Sequence, residues 1–159
     1  MPHLRKKIDF TVEVFIVHKN KVLLRRHDKY KIWLGVGGHI ELDEDPNQTA
    51  IREVKEEVGI NIKLANKPTP YKYITKNYKE LIAPRFLNRH RINKAHEHVT
   101  LVYFAATKSN KVATNSWDKS TEWKWFTLNE LNDNAYGIKK DVIFYAKRAL
   151  ADMGKIDKD

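Results

Sequence analysis

The chain has 159 residues, 30 Lys plus Arg against 20 Asp plus Glu for a formal charge of +10, and no cysteine. The length suits one domain over residues 1–159, and the missing thiols exclude disulfides, cysteine–zinc sites and a cysteine nucleophile. No apolar run is long enough for a bilayer and the opening MPHLRKK lacks a secretory apolar stretch, so a cytoplasmic protein with no membrane partner is expected, and its positive balance favours polyanions such as nucleotides or RNA.

Residues 8–18, IDFTVEVFIVH, are rich in β-branched and aromatic residues and read as a strand. Lys19-Asn20 reads as a turn into a second strand over 21–26, making a hairpin. Trp33 to Val36 then leads into a Gly37-Gly38 turn. Asp45 before Pro46 suits an N-cap and first helical position, and Gly59 suits a stop. The spacing between them predicts a helix over 46–58 that buries Ala50, Ile51, Val54 and Val58. A strand resumes at 60–64, Asn66-Lys67-Pro68-Thr69-Pro70 breaks it, and 71–75 reads as another strand. Residues 78–95 read either as a basic excursion or as a hairpin. VTLVYFAAT, 99–107, is a buried strand; 109–120 a polar loop; 122–126 a strand; 128–131 the start of a short helix. A final helix over 138–152 places Ile138, Val142, Tyr145, Ala146, Ala149 and Met153 on one face. Strands mixed with two main helices imply an α/β fold.

The chemistry is concentrated in residues 38–60, GHIELDEDPNQTAIREVKEEVGI. On the predicted helix Glu53, Glu56 and Glu57 fall at i, i+3 and i+4, so their carboxylates converge. Acids held that close repel one another unless a cation stabilises them. Hard oxygen donors favour magnesium or manganese over zinc, and magnesium joins a few carboxylates to substrate phosphates. The helix therefore reads as a platform for metal-assisted hydrolysis of a phosphoanhydride.

The spacing G-x5-E-x7-R-E-U-x-E-E-x-G-U, with U aliphatic, runs from Gly38 through Glu44 and Arg52 to Ile60. It resembles the signature of the Nudix hydrolases at every fixed position. The resemblance implies an α/β/α sandwich with a mixed sheet and a loop–helix–loop metal site. It implies an enzyme that uses Mg2+, or Mn2+, to cleave a nucleoside diphosphate linked to another moiety, in the manner of MutT-like pyrophosphohydrolases. Glu53, Glu56, Glu57 and the Gly38 carbonyl would hold metal. Glu53 or Glu56 would act as or orient the base, Arg52 would hold the carboxylates in place, and Glu44 would brace the loop or bind an additional metal. Family members often use a further acid outside this box, and Glu97 in His96-Glu97-His98 is the candidate.

His96 and His98 point the same way at strand spacing, where they could contact phosphate, but have no third ligand at a convincing zinc spacing, so the structural reading is favoured for each. Trp33, Tyr73, Tyr78 and Phe86 are candidate base-stacking surfaces, Tyr78 lying where a tyrosine resembles the marker of enzymes acting on dinucleoside polyphosphates. In PRFLNRHRINK, 84–94, Arg85, Arg89 and Arg91 are candidate phosphate contacts, with Arg89 and Arg91 on one face if the segment is extended. An isomerase of the isopentenyl diphosphate type shares the fold but needs the absent cysteine. The remaining alternatives are an RNA 5′-end pyrophosphohydrolase and a non-catalytic nucleotide sensor; a homodimer is among the expected assemblies.

Overall fold

The computed structural model of the protein describes residues 7–65, 74–114 and 122–154. Its spine is β1 (Ile8–His18), whose alternating side chains enter two different cores. Val12, Val14 and Ile16 face one way, Phe15 and Val17 the other, so the strand is apolar on both sides as a central strand must be. Lys19 and Asn20 both adopt positive φ, 43° and 60°. That is the backbone of a two-residue hairpin turn whose twist matches its strands, and it leads into β2 (Lys21–Arg26) with Ile16 opposite Leu23.

β3 (Trp33–Leu34) pairs with β2, and β4 (Val36–His39) runs antiparallel to the first half of β1. After α1 (Pro46–Val58) come β5 (Lys63–Leu64), the small separate hairpin β6 (Ile74–Thr75) and β7 (Tyr78–Lys79), then β8 (Phe86–Asn93) and β9 (His96–Ala106). β9 runs parallel to β1, from Ile8 opposite Glu97 to Val17 opposite Ala106. The other pairings of the main sheet are antiparallel, including β10 (Trp123–Phe126) on β2, so the sheet is mixed. α1 packs on one face through Ala50, Val54 and Val58. The other face is covered by α3 (Lys140–Met153) and by Leu131 of α2 (Leu128–Asp133). The result is the expected α/β/α sandwich. No helix among the described residues is long and apolar enough to cross a membrane.

The strand over 8–18 and the helix over 46–58 have the bounds their sequence predicts. The ambiguous 78–95 stretch forms β7 and the outer strand of the β8–β9 hairpin, whose register slips between Arg91 and Asn93. All six apolar residues assigned to one face of the last helix are buried. The Asn66–Pro70 break, residues 71–73 of the expected strand and 115–120 of the expected polar loop lie outside the described residues.

Two expectations are corrected. Ile51 is 49% exposed, and Thr49 is buried instead. Thr49 Oγ1 donates to the Asp45 carbonyl one turn back at 3.2 Å, and Arg52, one turn on, reaches the His39 carbonyl. The Gly37-Gly38 pair lies in strand β4, not in a turn, and neither residue has positive φ. These positions need glycine for close approach. A Cβ on Gly37 would stand 2.0 Å from the Val12 carbonyl oxygen, and one on Gly38 would stand 2.3 Å from Glu53 Oε1.

Candidate active site on helix α1

α1 starts and stops where the sequence dictates. The Asp45 side chain accepts from the Gln48 N–H while the Gln48 side chain accepts from the Asp45 N–H, both at 2.9 Å, a reciprocal capping box. Pro46 occupies the first turn, and Gly59 ends the helix at φ 68°. Asn47, also in the first turn, clasps the Ile82 backbone through two 2.9 Å hydrogen bonds and donates to the Tyr103 hydroxyl at 3.2 Å. This fixes the chain that follows the β6–β7 hairpin against the start of α1.

Arg52 is the hub of the site. Its guanidinium grips Glu44 as a fork, with Nη2 2.6 Å from Oε1 and Nε 2.9 Å from Oε2. Nη1 donates to Glu53 at 3.0 Å and to Glu56 at 3.1 Å, and Nη2 also reaches the His39 carbonyl at 3.2 Å. One side chain thus ties the β4 end, the loop acid and two helix acids together. The arrangement separates the carboxylates electrostatically. The Arg52 hydrogen bonds hold Glu44 down at about 2. Burial pushes Glu53 up, against the opposing pull of Arg52. Glu53 is therefore a better proton acceptor than Glu44.

The other expected site residues do not all gather at this hub. Glu57 pairs with Arg25 of β2 at 3.0 Å, which turns it toward the sheet. Glu97 lies at the start of β9, ion-paired with Arg89 and with Arg91 at 4.0 Å. Arg89 and Arg91 do share a face, as the extended reading requires, and it is the face of Glu97. Arg85 is paired with Asp152 of α3 and lies 5.9 Å from the centre of the Phe104 ring, so it is engaged in holding α3 to the sheet. Trp33 is only 8% exposed and packs edge-on against Phe126 and Tyr136, a core position with little ring surface left for a base. Phe86 likewise packs against Phe104, Phe144 and Tyr145. Tyr78 is half-exposed on the β6–β7 hairpin and donates to Glu80 at 2.7 Å. Tyr73 lies outside the described residues.

Sequence reasoning missed the company His96 and His98 keep. Asp9 of β1 and His39 of β4 meet them, each residue offering one ligand atom, all within 4.8 Å of one another. The Nε2 atoms of His39 and His96 stand 3.3 and 3.2 Å from the same Asp9 Oδ2. His98 is pushed down to about 4 by burial and by the neighbouring imidazoles. The H-x-H alternation was the visible half of this cluster; the β1–β9 and β1–β4 pairings that supply Asp9 and His39 leave no local mark in sequence.

Glu13, also on β1, accepts from the Gly35 N–H at 2.9 Å and is pushed up to about 7, chiefly by burial. A carboxyl raised in the folded state contributes fully below its ordinary 4.5, and that contribution is lost as pH rises through about 7. Glu13→Gln keeps an acceptor for Gly35 and removes the charge. Its melting temperature relative to the parent should therefore rise between about pH 5 and about pH 8; a difference equal at both pH values would refute the assignment.

Known proteins resemble this chain in sequence and in fold. The NUDIX domain model matches residues 8–146. A NUDIX-family hydrolase from Clostridium perfringens is 36% identical, covering 91% of this chain and 97% of its own, with a TM-score of 0.78. The MutT protein of Methanosarcina mazei Go1 shares the fold at 18% identity and a TM-score of 0.64, covering 99% of this chain and 100% of its own. Among curated proteins, dihydroneopterin triphosphate diphosphatase of Haemophilus influenzae is 46% identical over 52 residues, 32% of this chain. That match spans about a third of the relative's length, 33%.

Proposed function

Because the chain belongs to the NUDIX family, we propose that it is a magnesium-dependent hydrolase of a phosphoanhydride bond in a nucleoside triphosphate or related nucleotide, with residues 1–159 acting as one domain. The observation that carries this reading is the Arg52 hub, which ties Glu44, Glu53 and Glu56 together, with Glu53 beside Gly38. The donor set fits magnesium: Glu53, Glu56, Glu57 and the Gly38 carbonyl are hard oxygens on and beside one helix. Gly38 also leaves no side chain between strand and carboxylate, since a Cβ would touch Glu53. Magnesium, when bound, supplies charge neutralisation for the phosphate chain and a more acidic water.

The chain's own residues do the rest. Glu53, raised by burial, takes the proton of the attacking water or orients the group that does. Arg52 keeps Glu44 ionised and fixes the rotamers of Glu53 and Glu56. Arg89 and Arg91, on the face of Glu97, offer planar donors to a phosphate chain at the sheet edge. The partial identity to an enzyme named for dihydroneopterin triphosphate supports a triphosphate attached to a bicyclic nitrogen heterocycle. The purified full chain with magnesium should be offered nucleoside triphosphates, dihydroneopterin triphosphate, dinucleoside polyphosphates and RNA bearing a 5′-triphosphate. Release of pyrophosphate with a monophosphate is expected from a small triphosphate, abolished by chelation and restored by magnesium. Preference for the RNA would replace the small-nucleotide reading, and hydrolysis that survives chelation would overturn the metal-dependent one.

A further inference from the structure

We propose that Asp9, His39, His96 and His98 form a second metal centre, a four-ligand site for zinc or a similar late first-row divalent ion, separate from the carboxylate site on α1. The ligands come from three strands of one sheet: Asp9 from β1, His39 from β4, His96 and His98 from β9. Asp9 is directly opposite His98 in the parallel β1–β9 pairing, and His39 is opposite Thr11, two residues along β1 from Asp9. Strand alternation puts Asp9 and Thr11 on the side of Phe15, and His96 and His98 on the side of Val102 and Phe104, which is the α3 side. The α1 carboxylates occupy the other face. The two sites adjoin along β4, where a Cβ on Gly38 would touch Glu53 and His39 lends its carbonyl to Arg52.

The donor chemistry selects the ion. Imidazole nitrogens suit zinc, copper, iron and nickel, whereas magnesium and calcium take oxygen. Three imidazoles and one carboxylate make a complete tetrahedral zinc set. With zinc–ligand bonds near 2.05 Å, the edge of that tetrahedron is about 3.3 Å. The two contacts to Asp9 Oδ2 are 3.3 and 3.2 Å. The rings also approach from different directions: His98 stands at 84° to His39 and 89° to His96, with centroids 5.1 and 5.0 Å apart. Perpendicular rings let several nitrogens aim at one point without stacking. Asp9 is buried and His96 mostly so, while His39 remains 44% exposed at its side chain, leaving an entry path. Asp9 acting merely as a counter-ion to two imidazolium rings would account for its two contacts but not for the third imidazole.

The test uses the full chain stripped with a chelator and then titrated with cobalt and with zinc. Cobalt should give the intense visible absorption of a four-coordinate ion, saturating at about one ion per chain, and zinc should displace it. Zinc should raise the melting temperature of the parent by mass action. His96→Gln and His98→Gln should weaken zinc binding on the order of 100-fold or more, while Glu53→Gln binds as the parent does. A parent protein that shows only six-coordinate cobalt overturns the proposal whatever the variants do. So does equal zinc affinity in the histidine variants, or loss of binding in Glu53→Gln.

Discussion

Glu53→Gln is expected to lower kcat by about 10² to 10⁴, the range for loss of a general base, with KM and melting temperature close to those of the parent. The substitution is nearly isosteric, and Gln can still accept from Arg52 Nη1, which now stands 3.0 Å from Glu53 Oε1. What it loses is the charged carboxylate, as proton acceptor and as one magnesium donor, and saturating magnesium offsets the second loss. Glu53 differs from its neighbours in that burial pushes it up while Arg52 holds Glu44 far down. The same contrast predicts the pH profile. Activity of the parent should fall on acidification as Glu53 takes up a proton, whereas the weak residual activity of Glu53→Gln should lack that limb. Single-turnover rates at saturating magnesium across the acid range would measure both effects. A decrease of tenfold or less, or an unchanged acid limb, would remove Glu53 from the chemistry.

The local features of this site were legible in sequence because each rests on neighbours within one helical turn. The Asp45-Pro46 start, the Gly59 stop and the i, i+3, i+4 acids are all short-range, and the helix has the bounds they dictate. What periodicity could not show is what the surrounding elements cover. Ile51 matches the apolar stripe as well as Val54 does, yet Val54 enters the core against the sheet while Ile51 stays in solvent. Gly37 and Gly38 read as a turn because glycine usually signals backbone freedom. Here they are strand residues whose missing Cβ atoms admit the Val12 carbonyl and the Glu53 carboxylate. Trp33 offered a stacking surface in sequence, and the pairing of β3 with β2 carries it into the core instead. The Asp9–histidine cluster is the extreme case, since its four residues span 9 to 98 and meet through strand pairing alone.

Replacing Arg52 should produce the largest combined loss of stability and activity. Arg52→Gln leaves Glu44, Glu53 and Glu56 close together without the guanidinium that now bonds to all three. Breaking a fully buried ion pair costs roughly 3–5 kcal/mol; the Arg52 side chain is 29% exposed, so about 2 kcal/mol is the expected destabilisation once solvent screening is allowed for. Arg52→Lys should recover little of this, because a single ammonium cannot make the two-point grip on Glu44 and still reach the His39 carbonyl. kcat should fall in both variants as Glu53 and Glu56 lose their fixed rotamers. Acid titration separates this account from a general packing defect. Glu44 is lowered from 4.5 to about 2, so its pairing contributes fully above its ordinary value and is lost as pH falls through about 2. The stability gap between parent and Arg52→Gln should therefore be widest near neutrality and narrow steadily below about pH 4. Adding Glu44→Gln to Arg52→Gln should restore part of the loss, since it removes one of the stranded charges. A gap that stays constant across the acid range, with no rescue in the double variant, would mean that Arg52 acts by packing alone.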